Sequence, residues 1–193
     1  MLDWNVLIDV CEHTFSPAYL LLEKFGKVYQ SDFKNILLMK VDSIPQFLSD
    51  FDPKIEEDSS IANLFNRISP VIATFSFQSQ EEFEAKAKKV VSNWMPKLED
   101  KKFYVRMHRK GMKDRIDRHE EEIFLNLIIL QELENIGKPG SIGGIDPDVL
   151  VAVETVSNRA GLSCWTRQDL ENYPWLRSGL TIFLNRESAK AID

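Results

Sequence analysis

The feature that most constrains the fold of this sequence is an almost unbroken apolar run, VLVAVETV, at residues 149–156. Eight residues of this kind, bounded by turn-forming residues, are typical of a β-strand in the middle of a sheet. Glu154, the acidic residue in the run, needs a cation or a hydrogen-bond donor if it is buried. We expect an arginine of the basic segment described below to provide it, which gives Glu154 a structural role.

Strand and helix signals alternate along the first 77 residues, where apolar spacings of two indicate strands and spacings of three or four indicate helices. The predicted strands lie at 4–11, 35–41 and 70–77, with room for a short strand at 27–30, and the predicted helices lie at 16–25, 43–51 and 60–68, with a loop at 52–60. This order predicts a ferredoxin-like α/β sandwich.

The second half of the chain has a similar mixture of elements. They are a helix at 78–95, a strand at 103–110, a helix at 118–136 capped by Asp117, and strands at 149–156 and 162–165. The glycine-rich segment 137–144 joins a helix to a strand and lacks the Lys-Ser/Thr ending of a phosphate-binding loop, so we interpret it as a connector.

These patterns together predict an α/β (α+β) fold with two domains. An N-terminal ferredoxin-like domain at 1–78 is expected to pack against a second α/β domain at 79–170, because no flexible linker separates them. Residues 171–193 form an unassigned tail, in which 179–185 is a strand candidate.

The composition excludes several classes of protein. No apolar run approaches the ~20 residues of a membrane span, and the N-terminus lacks the features of a secretory signal. Cys11 and Cys164 have no spacing typical of a zinc site or a disulfide framework. We therefore expect a cytoplasmic protein with no membrane partner. Its formal net charge of −6 argues against nonspecific coating of nucleic acid.

The positive charge is nevertheless concentrated in one segment. Residues 101–118 carry a net charge of +6, whereas the other 175 residues carry −12. The segment starts on the polar face of a strand, crosses a loop and ends at a helix N-terminus, whose backbone N–H groups favour anions. The residues that we expect to contact phosphates, or bases in the case of the two aromatic rings, are Tyr104, Arg106, His108, Arg109, Lys110, Gly111, Lys113, Arg115 and Arg118. Arg159 and Arg167 are candidates for extending this surface.

An alternative interpretation makes the same cations a solvated surface. They would then pair with Glu120, Glu121 and Glu122, which follow one turn later and would weaken the positive field. The sequence alone leaves both interpretations open.

Catalytic motifs are absent from the sequence. His13, His108 and His119 lack metal-ligand spacing, no G-x-S-x-G occurs, and no glycine-rich fingerprint follows a strand. We therefore expect no catalytic residues, no metal and no cofactor. A small enzyme acting through Glu154, His108 or His119 is the least favoured hypothesis.

The order of motifs in residues 67–165 resembles the THUMP domain, which occurs in RNA-modifying enzymes and their helpers. The residues that match its recurrent pattern are Phe103, Val105, Arg109 and Lys110, then Asp146, Pro147 and Asp148, then Val151, Val153 and Glu154, and finally Gly161, Leu162 and Ser163. Asp146 departs from the pattern, where asparagine is commoner. RISPVIATFSFQSQEEFEAKA (67–87) resembles a branch that includes the tRNA-binding adaptor of the tRNA cytidine acetyltransferase. Residues 1–66 match by architecture alone.

The resemblance implies binding of structured RNA, typically tRNA around its acceptor end, rather than DNA. Because residues after 165 leave no room for a fused catalytic domain, we expect a non-catalytic adaptor, not an enzyme. It would present tRNA to a separate tRNA-modifying enzyme, such as a cytidine acetyltransferase. The alternative is a protein-interaction subunit without direct RNA contact, in which the acidic first domain and a tail containing Trp175 and Phe183 would bind a basic partner.

Overall fold

The computed structural model describes residues 3–178 and divides the chain into two compact units. One unit contains the chain up to Pro70 and again from Leu170, and the other contains Val71–Asp169. The predicted α/β class is confirmed, since each unit combines one sheet with helices. The strand candidate 179–185 and Phe183 lie outside the described residues, and the domain limits at 78–79 and 170–171 stay predictions.

The first unit has the ferredoxin-like order of elements. They are β1 (Val6–Val10), α1 (Phe15–Leu22), β2 (Lys27–Gln30), β3 (Ile36–Lys40), α2 (Ile44–Glu57) and β4 (Phe65–Pro70). The four strands form an antiparallel sheet in the order β2-β3-β1-β4. The short strand anticipated at 27–30 is therefore present, and it occupies an edge of this sheet.

The predicted helix at 60–68 is wrong. A 3₁₀ turn occupies Ile61–Leu64, and the chain then extends as β4. The pairing of β4 with β1 shifts register between Asp9 and Val10, which marks a β-bulge. Because of this bulge, the buried residues Phe65 and Ile68 are three positions apart, a spacing that is typical of a helix. The apolar residues of β4 therefore lack the two-residue period by which a strand is recognised in a sequence.

Two neighbouring predictions are also wrong. The strand predicted at 70–77 is divided, because β4 ends at Pro70 and β5 (Ala73–Ser76) belongs to the sheet of the second unit. The loop predicted at 52–60 is largely helical, because α2 continues through Pro53 to Glu57 and buries Ile55 one turn after Phe51.

An aromatic core stabilises the first unit. Phe25, Phe47 and Phe51 pack together, and Trp175, from a short helix at Trp175–Ser178, contacts Phe51 edge to face. The indole Nε1 of Trp175 donates a 2.7 Å hydrogen bond to Asp52 Oδ1. Trp175 is only 1% exposed, so the expectation that it binds a partner is wrong.

The second unit is built on a mixed five-stranded sheet in the order β5-β9-β8-β6-β7. After β5 its elements are α3 (Gln80–Ser92), α4 (Met95–Leu98), β6 (Lys102–Lys110), α5 (Arg118–Asn135), β7 (Ser141–Ile142), β8 (Val149–Val156) and β9 (Arg159–Thr166). β6 runs parallel to β7 and β8, and the other pairs are antiparallel. The apolar run at 149–156 is the middle strand, as predicted.

One face of this sheet carries the core of the second unit. Val151 of β8 and Met107 of β6 pack with Phe83 of α3 and with Leu125 and Ile129 of α5. The segment predicted as a connector includes β7, which pairs with the start of β6. No helix among residues 3–178 is long and apolar enough to cross a membrane.

Candidate nucleic-acid interface

Strand β6 alternates between core and non-core residues along most of its length. Phe103, Val105 and Met107 are buried in the core, whereas Tyr104 and Arg106 are half-buried and project from the opposite face. The two-residue period of a strand produces this separation. The sequence-predicted division of these side chains between two faces is confirmed.

His108 is held by a buried carboxylate. Its Nδ1 lies 3.0 Å from Oε1 of Glu154, which faces it across the β6–β8 pair and is 1% exposed. A carboxylate buried to this degree requires such a donor. His108, which we assigned to base stacking, therefore also has the structural role that Glu154 needs, and its ring orientation is fixed.

Arg109 lies on the helical side of the sheet, apart from Arg106 and His108. Its Nη1 donates a 2.9 Å hydrogen bond to the carbonyl oxygen of Gly111 and so closes the turn that follows β6. Gly111 has φ = 84°, a left-handed conformation that favours glycine. Lys110, at the end of β6, accepts a hydrogen bond at its carbonyl oxygen from the backbone of Ser157.

Three cations of the β6–α5 loop, taken here to include the first residue of α5, remain exposed. Lys113, Arg115 and Arg118 project into solvent. Within residues 3–178 none of the three forms an ion pair. The guanidinium of Arg115 donates a 3.2 Å hydrogen bond to the carbonyl oxygen of Gln78, which leaves its charge uncompensated.

The alternative interpretation, in which these cations pair with the three glutamates at the start of α5, does not apply to Lys113, Arg115 and Arg118. Glu121 is fully buried and faces α3, and Glu122 accepts a 2.8 Å hydrogen bond from the backbone N–H of Met107. Glu120 is exposed, but it has no ion pair with Lys113, Arg115 or Arg118 in the described part of the chain.

The N-terminus of α5 does not provide an open anion site. Asp117 caps it as predicted, and its Oδ1 accepts hydrogen bonds from the N–H groups of His119 and Glu120, at 2.8 and 3.1 Å. These bonds, from Glu120 first, lower the pKa of Asp117. The expected phosphate contact with these N–H groups is therefore wrong, and phosphates would have to bind to side chains.

An open depression of about 380 Å³ lies at this end of the second unit. Three separate segments form it: Gln78 after β5, residues 112–115 of the β6–α5 loop, and the Ser157-Asn158 turn between β8 and β9. Lys113 and Arg115 are in its lining. The other predicted cations do not line it.

Two further arginines do not extend the surface in the way we expected. Arg167 is paired with Asp148, at 3.0 Å, and with Asp146, at 2.9 Å. Asp148 also accepts a 3.0 Å hydrogen bond from the backbone of Lys102, so these residues fix the start of β8 beside β6. Arg159 donates to the hydroxyl of Thr74 across the β5–β9 pair.

The described residues offer no metal site. No group of three or more His, Cys, Asp or Glu side chains among residues 3–178 could hold a metal ion. Cys164 is buried in the core, which raises the pKa of its thiol to about 12 and makes it a poor nucleophile.

The structure therefore separates the nine predicted residues into groups. Lys113, Arg115 and Arg118 are the exposed cations of the β6–α5 loop and the start of α5, whereas Tyr104, Arg106 and His108 share one sheet face and Arg109 lies on the other. Lys110 and Gly111 form the end of β6 and the turn that follows it. Sequence analysis missed Gln78, Ser157 and Asn158. The sequence signal that could have identified Ser157 and Asn158 is their position as turn-forming residues directly after the apolar strand at 149–156.

Comparison with known proteins identifies the fold. No protein-family model matches the sequence, and no curated protein is similar to it. Among solved structures, PH1313 from Pyrococcus horikoshii Ot3 is 13% identical with a TM-score of 0.54, and the match covers 83% of this chain and 54% of that one. A 4-thiouridine synthetase in complex with RNA and bound ATP is 15% identical with a TM-score of 0.52, covering 84% and 41%.

A third similar structure is a predicted N6-adenine-specific DNA methylase from Listeria monocytogenes str. 4b F2365. It is 11% identical with a TM-score of 0.50, and the match covers 83% of this chain and 40% of that one. The chain thus spans between two fifths and just over half of the length of these proteins. At such identities the likeness establishes the fold alone, a ferredoxin-like unit followed by a THUMP-type unit.

The prediction that the chain is not an enzyme is overturned by these comparisons. Two of the three structures named above carry the names of enzymes, a 4-thiouridine synthetase and a predicted N6-adenine-specific DNA methylase. The fold is therefore found in catalytic proteins, and it gives no support to a non-catalytic role.

Proposed function

We propose that this chain binds structured RNA, and tRNA in particular, as the RNA-binding part of an RNA-modifying protein or complex. The observation that carries the proposal is the exposed loop of the second unit, where Lys113, Arg115 and Arg118 form no ion pair within residues 3–178. Cations that have no ion-pair partner, on a chain that is otherwise acidic, are typical of a surface that binds a polyanion.

RNA is favoured over DNA by two further observations. The THUMP-type arrangement occurs in a 4-thiouridine synthetase that was solved as an RNA complex. The three exposed cations that carry the proposal lie on a loop and at the start of a helix, and not along a strand or helix that could enter a DNA groove. Residues 67–165 resemble THUMP domains, and this resemblance favours tRNA over other structured RNAs as the ligand. The contact would be around the acceptor end of the tRNA.

Binding of fluorescently labelled tRNA, measured by anisotropy, tests the proposal. We expect the triple variant Lys113→Ala/Arg115→Ala/Arg118→Ala to bind more weakly by a factor of about ten or more, since a hydrogen bond to a charged group contributes about 1.5–3 kcal/mol and the loss of one such bond already corresponds to about tenfold. Duplex DNA of similar length should bind more weakly than tRNA to the unchanged protein.

The matched control is Lys101→Ala. Lys101 is an exposed cation just before β6, and the nine residues of that strand separate it from the loop by about 30 Å. The control should bind tRNA like the unchanged protein. Equal affinity of the triple variant and the control would refute the proposal.

The bound tRNA would be presented to a catalytic centre that modifies it. The resemblance of residues 67–87 favours a cytidine acetyltransferase as the enzyme concerned. Purification of the tagged protein from its native cells, with sequencing of bound RNA and identification of bound proteins, tests this. Recovery of neither tRNA nor an RNA-modifying enzyme would favour the alternative, a subunit that contacts protein alone.

A further inference from the structure

We infer that the outward face of α5 binds another protein, through an amphipathic helix that is apolar in the middle and carries Lys or Arg near both ends. This inference goes beyond the proposed function and does not depend on RNA binding. The face, which we call the α5 stripe, consists of side chains that are all exposed and recur every three or four residues along the helix. They are Glu120, Ile123, Leu127, Gln131 and Glu134.

Helix α5 is apolar on two opposite sides. Leu125, Ile129 and Leu133 are buried in the core of the second unit. On the other side, Ile123 and Leu127 are 45% and 59% exposed, and their spacing of four residues makes them neighbours on the helix surface. A surface helix normally has a polar outward side, whereas a helix that is apolar on every side is normally covered. The α5 stripe therefore has the character of a protein-binding surface.

Acidic side chains bound the α5 stripe at both ends. Glu120 and Glu134 each lie seven residues from Leu127, close to two helical turns, so the three share one side of α5. The rise of an α-helix separates the two glutamates by about 21 Å. Neither forms an ion pair within residues 3–178. Arg118 precedes Glu120 by two residues and so lies about 200° away around the helix, on the opposite side.

These charges decide which partner fits the α5 stripe. RNA is disfavoured, because its phosphates would face two carboxylates. A second copy of α5 packed antiparallel about Leu127 would place Glu120 opposite Glu134, and a parallel copy would place each glutamate opposite itself. A helix of another protein, with an apolar middle and cations about 21 Å apart, complements both the isoleucine–leucine pair and the two carboxylates.

Two synthetic peptides test the chemistry of this partner. Both are fluorescently labelled, helix-forming peptides of about 18 residues with the same central leucines, and two flanking positions about 21 Å apart carry Lys in one peptide and Glu in the other. In anisotropy titrations the unchanged protein should bind the Lys peptide more tightly by a factor of about five or more, because two ion pairs replace two repulsions. Leu127→Gln should weaken binding of the Lys peptide by a similar factor, because it removes apolar contact area.

Charge variants separate a specific site from general attraction to an acidic chain. Glu120→Lys/Glu134→Lys should reverse the preference between the peptides. Glu23→Lys/Glu56→Lys, at exposed positions of the first unit, changes the net charge equally and should keep the preference. Glu134→Lys alone is a second variant, well tolerated because a cation is favourable near a helix C-terminus, and it should reduce the preference. Equal binding of both peptides, or a preference that survives in Glu120→Lys/Glu134→Lys, would overturn the inference.

Photo-cross-linking identifies what covers the α5 stripe in the cell. The full chain carries p-benzoylphenylalanine in place of Leu127, is irradiated in its native cells, and its cross-linked peptides are sequenced by mass spectrometry. The inference predicts a peptide of another protein with apolar residues between Lys or Arg residues. A cross-link to a second copy of α5, to residues 179–193 of this chain or to RNA, or no cross-link at all, refutes it. The proposed function stands in each of these cases, because tRNA binding is measured separately.

Discussion

Glu121 provides the sharpest test of the packing between α3 and α5. Its side chain is fully buried, and neither carboxyl oxygen has a hydrogen-bond partner in the described structure. Burial raises its pKa to about 7, helped by the negative charges of Glu84, Glu120 and Asp117. Gln80 lowers the pKa slightly, but its amide donates to Glu84 at 3.1 Å.

The consequence for stability follows from the direction of this shift. An acid whose pKa is higher in the folded state stabilises the fold fully below its unfolded pKa, here 4.5, and the stability is lost as pH rises through about 7. The shift corresponds to about 3 kcal/mol. The variant Glu121→Gln is neutral at every pH and similar in shape, so it should gain stability relative to the unchanged protein as pH rises.

The expected gain is measurable by urea unfolding at a series of pH values. Between about pH 5.5 and about pH 8, the difference in unfolding free energy between Glu121→Gln and the unchanged protein should grow by about 2 kcal/mol. Glu134→Gln, at an exposed position near the other end of α5, is the control and should show no such growth. If the unfolding free energy of Glu121→Gln has the same pH dependence as that of the unchanged protein, ionisation of the buried carboxyl does not destabilise the fold. Our account of this site would then be wrong.

Two further predictions concern each unit in turn. In the first unit, Gly26→Ala should lower the unfolding free energy by about 1–3 kcal/mol, measured by urea unfolding, because an added Cβ would clash with the backbone carbonyl oxygen of Lys40. A neutral effect would show that this contact relaxes. In the second unit, the buried thiol of Cys164 should resist alkylation by iodoacetamide in the native protein and react after denaturation, followed by mass spectrometry; rapid native labelling would contradict the packing of β9.

Strong periodicity explains the elements that the sequence predicted well. The apolar run at 149–156 coincides with β8, and the alternation of 103–110 correctly separated Met107 from His108. Asp117 was identified as a cap because its side chain acts on the backbone directly beside it, a purely local effect. Local patterns of this kind do not depend on distant parts of the chain.

The features that the sequence missed depend on distant segments. The bulge that disguises β4 arises from its pairing with β1, more than 50 residues earlier. The open depression of the second unit combines Gln78 with Lys113 and Asn158, which are far apart in the sequence and are brought together by the order of the strands in the sheet. Arg109 was grouped with Arg106 by charge, although the two are three positions apart on a strand, which places them on opposite faces.

The salt dependence of tRNA binding tests the central claim most directly, because each phosphate neutralised contributes about 0.7–0.9 to the slope of log affinity against log salt concentration. The account predicts a steep slope for the unchanged protein, one smaller in magnitude by about 2 to 3 for Lys113→Ala/Arg115→Ala/Arg118→Ala, and an unchanged slope for Lys101→Ala. Identical slopes for all three proteins, or tRNA affinity insensitive to salt, would contradict it.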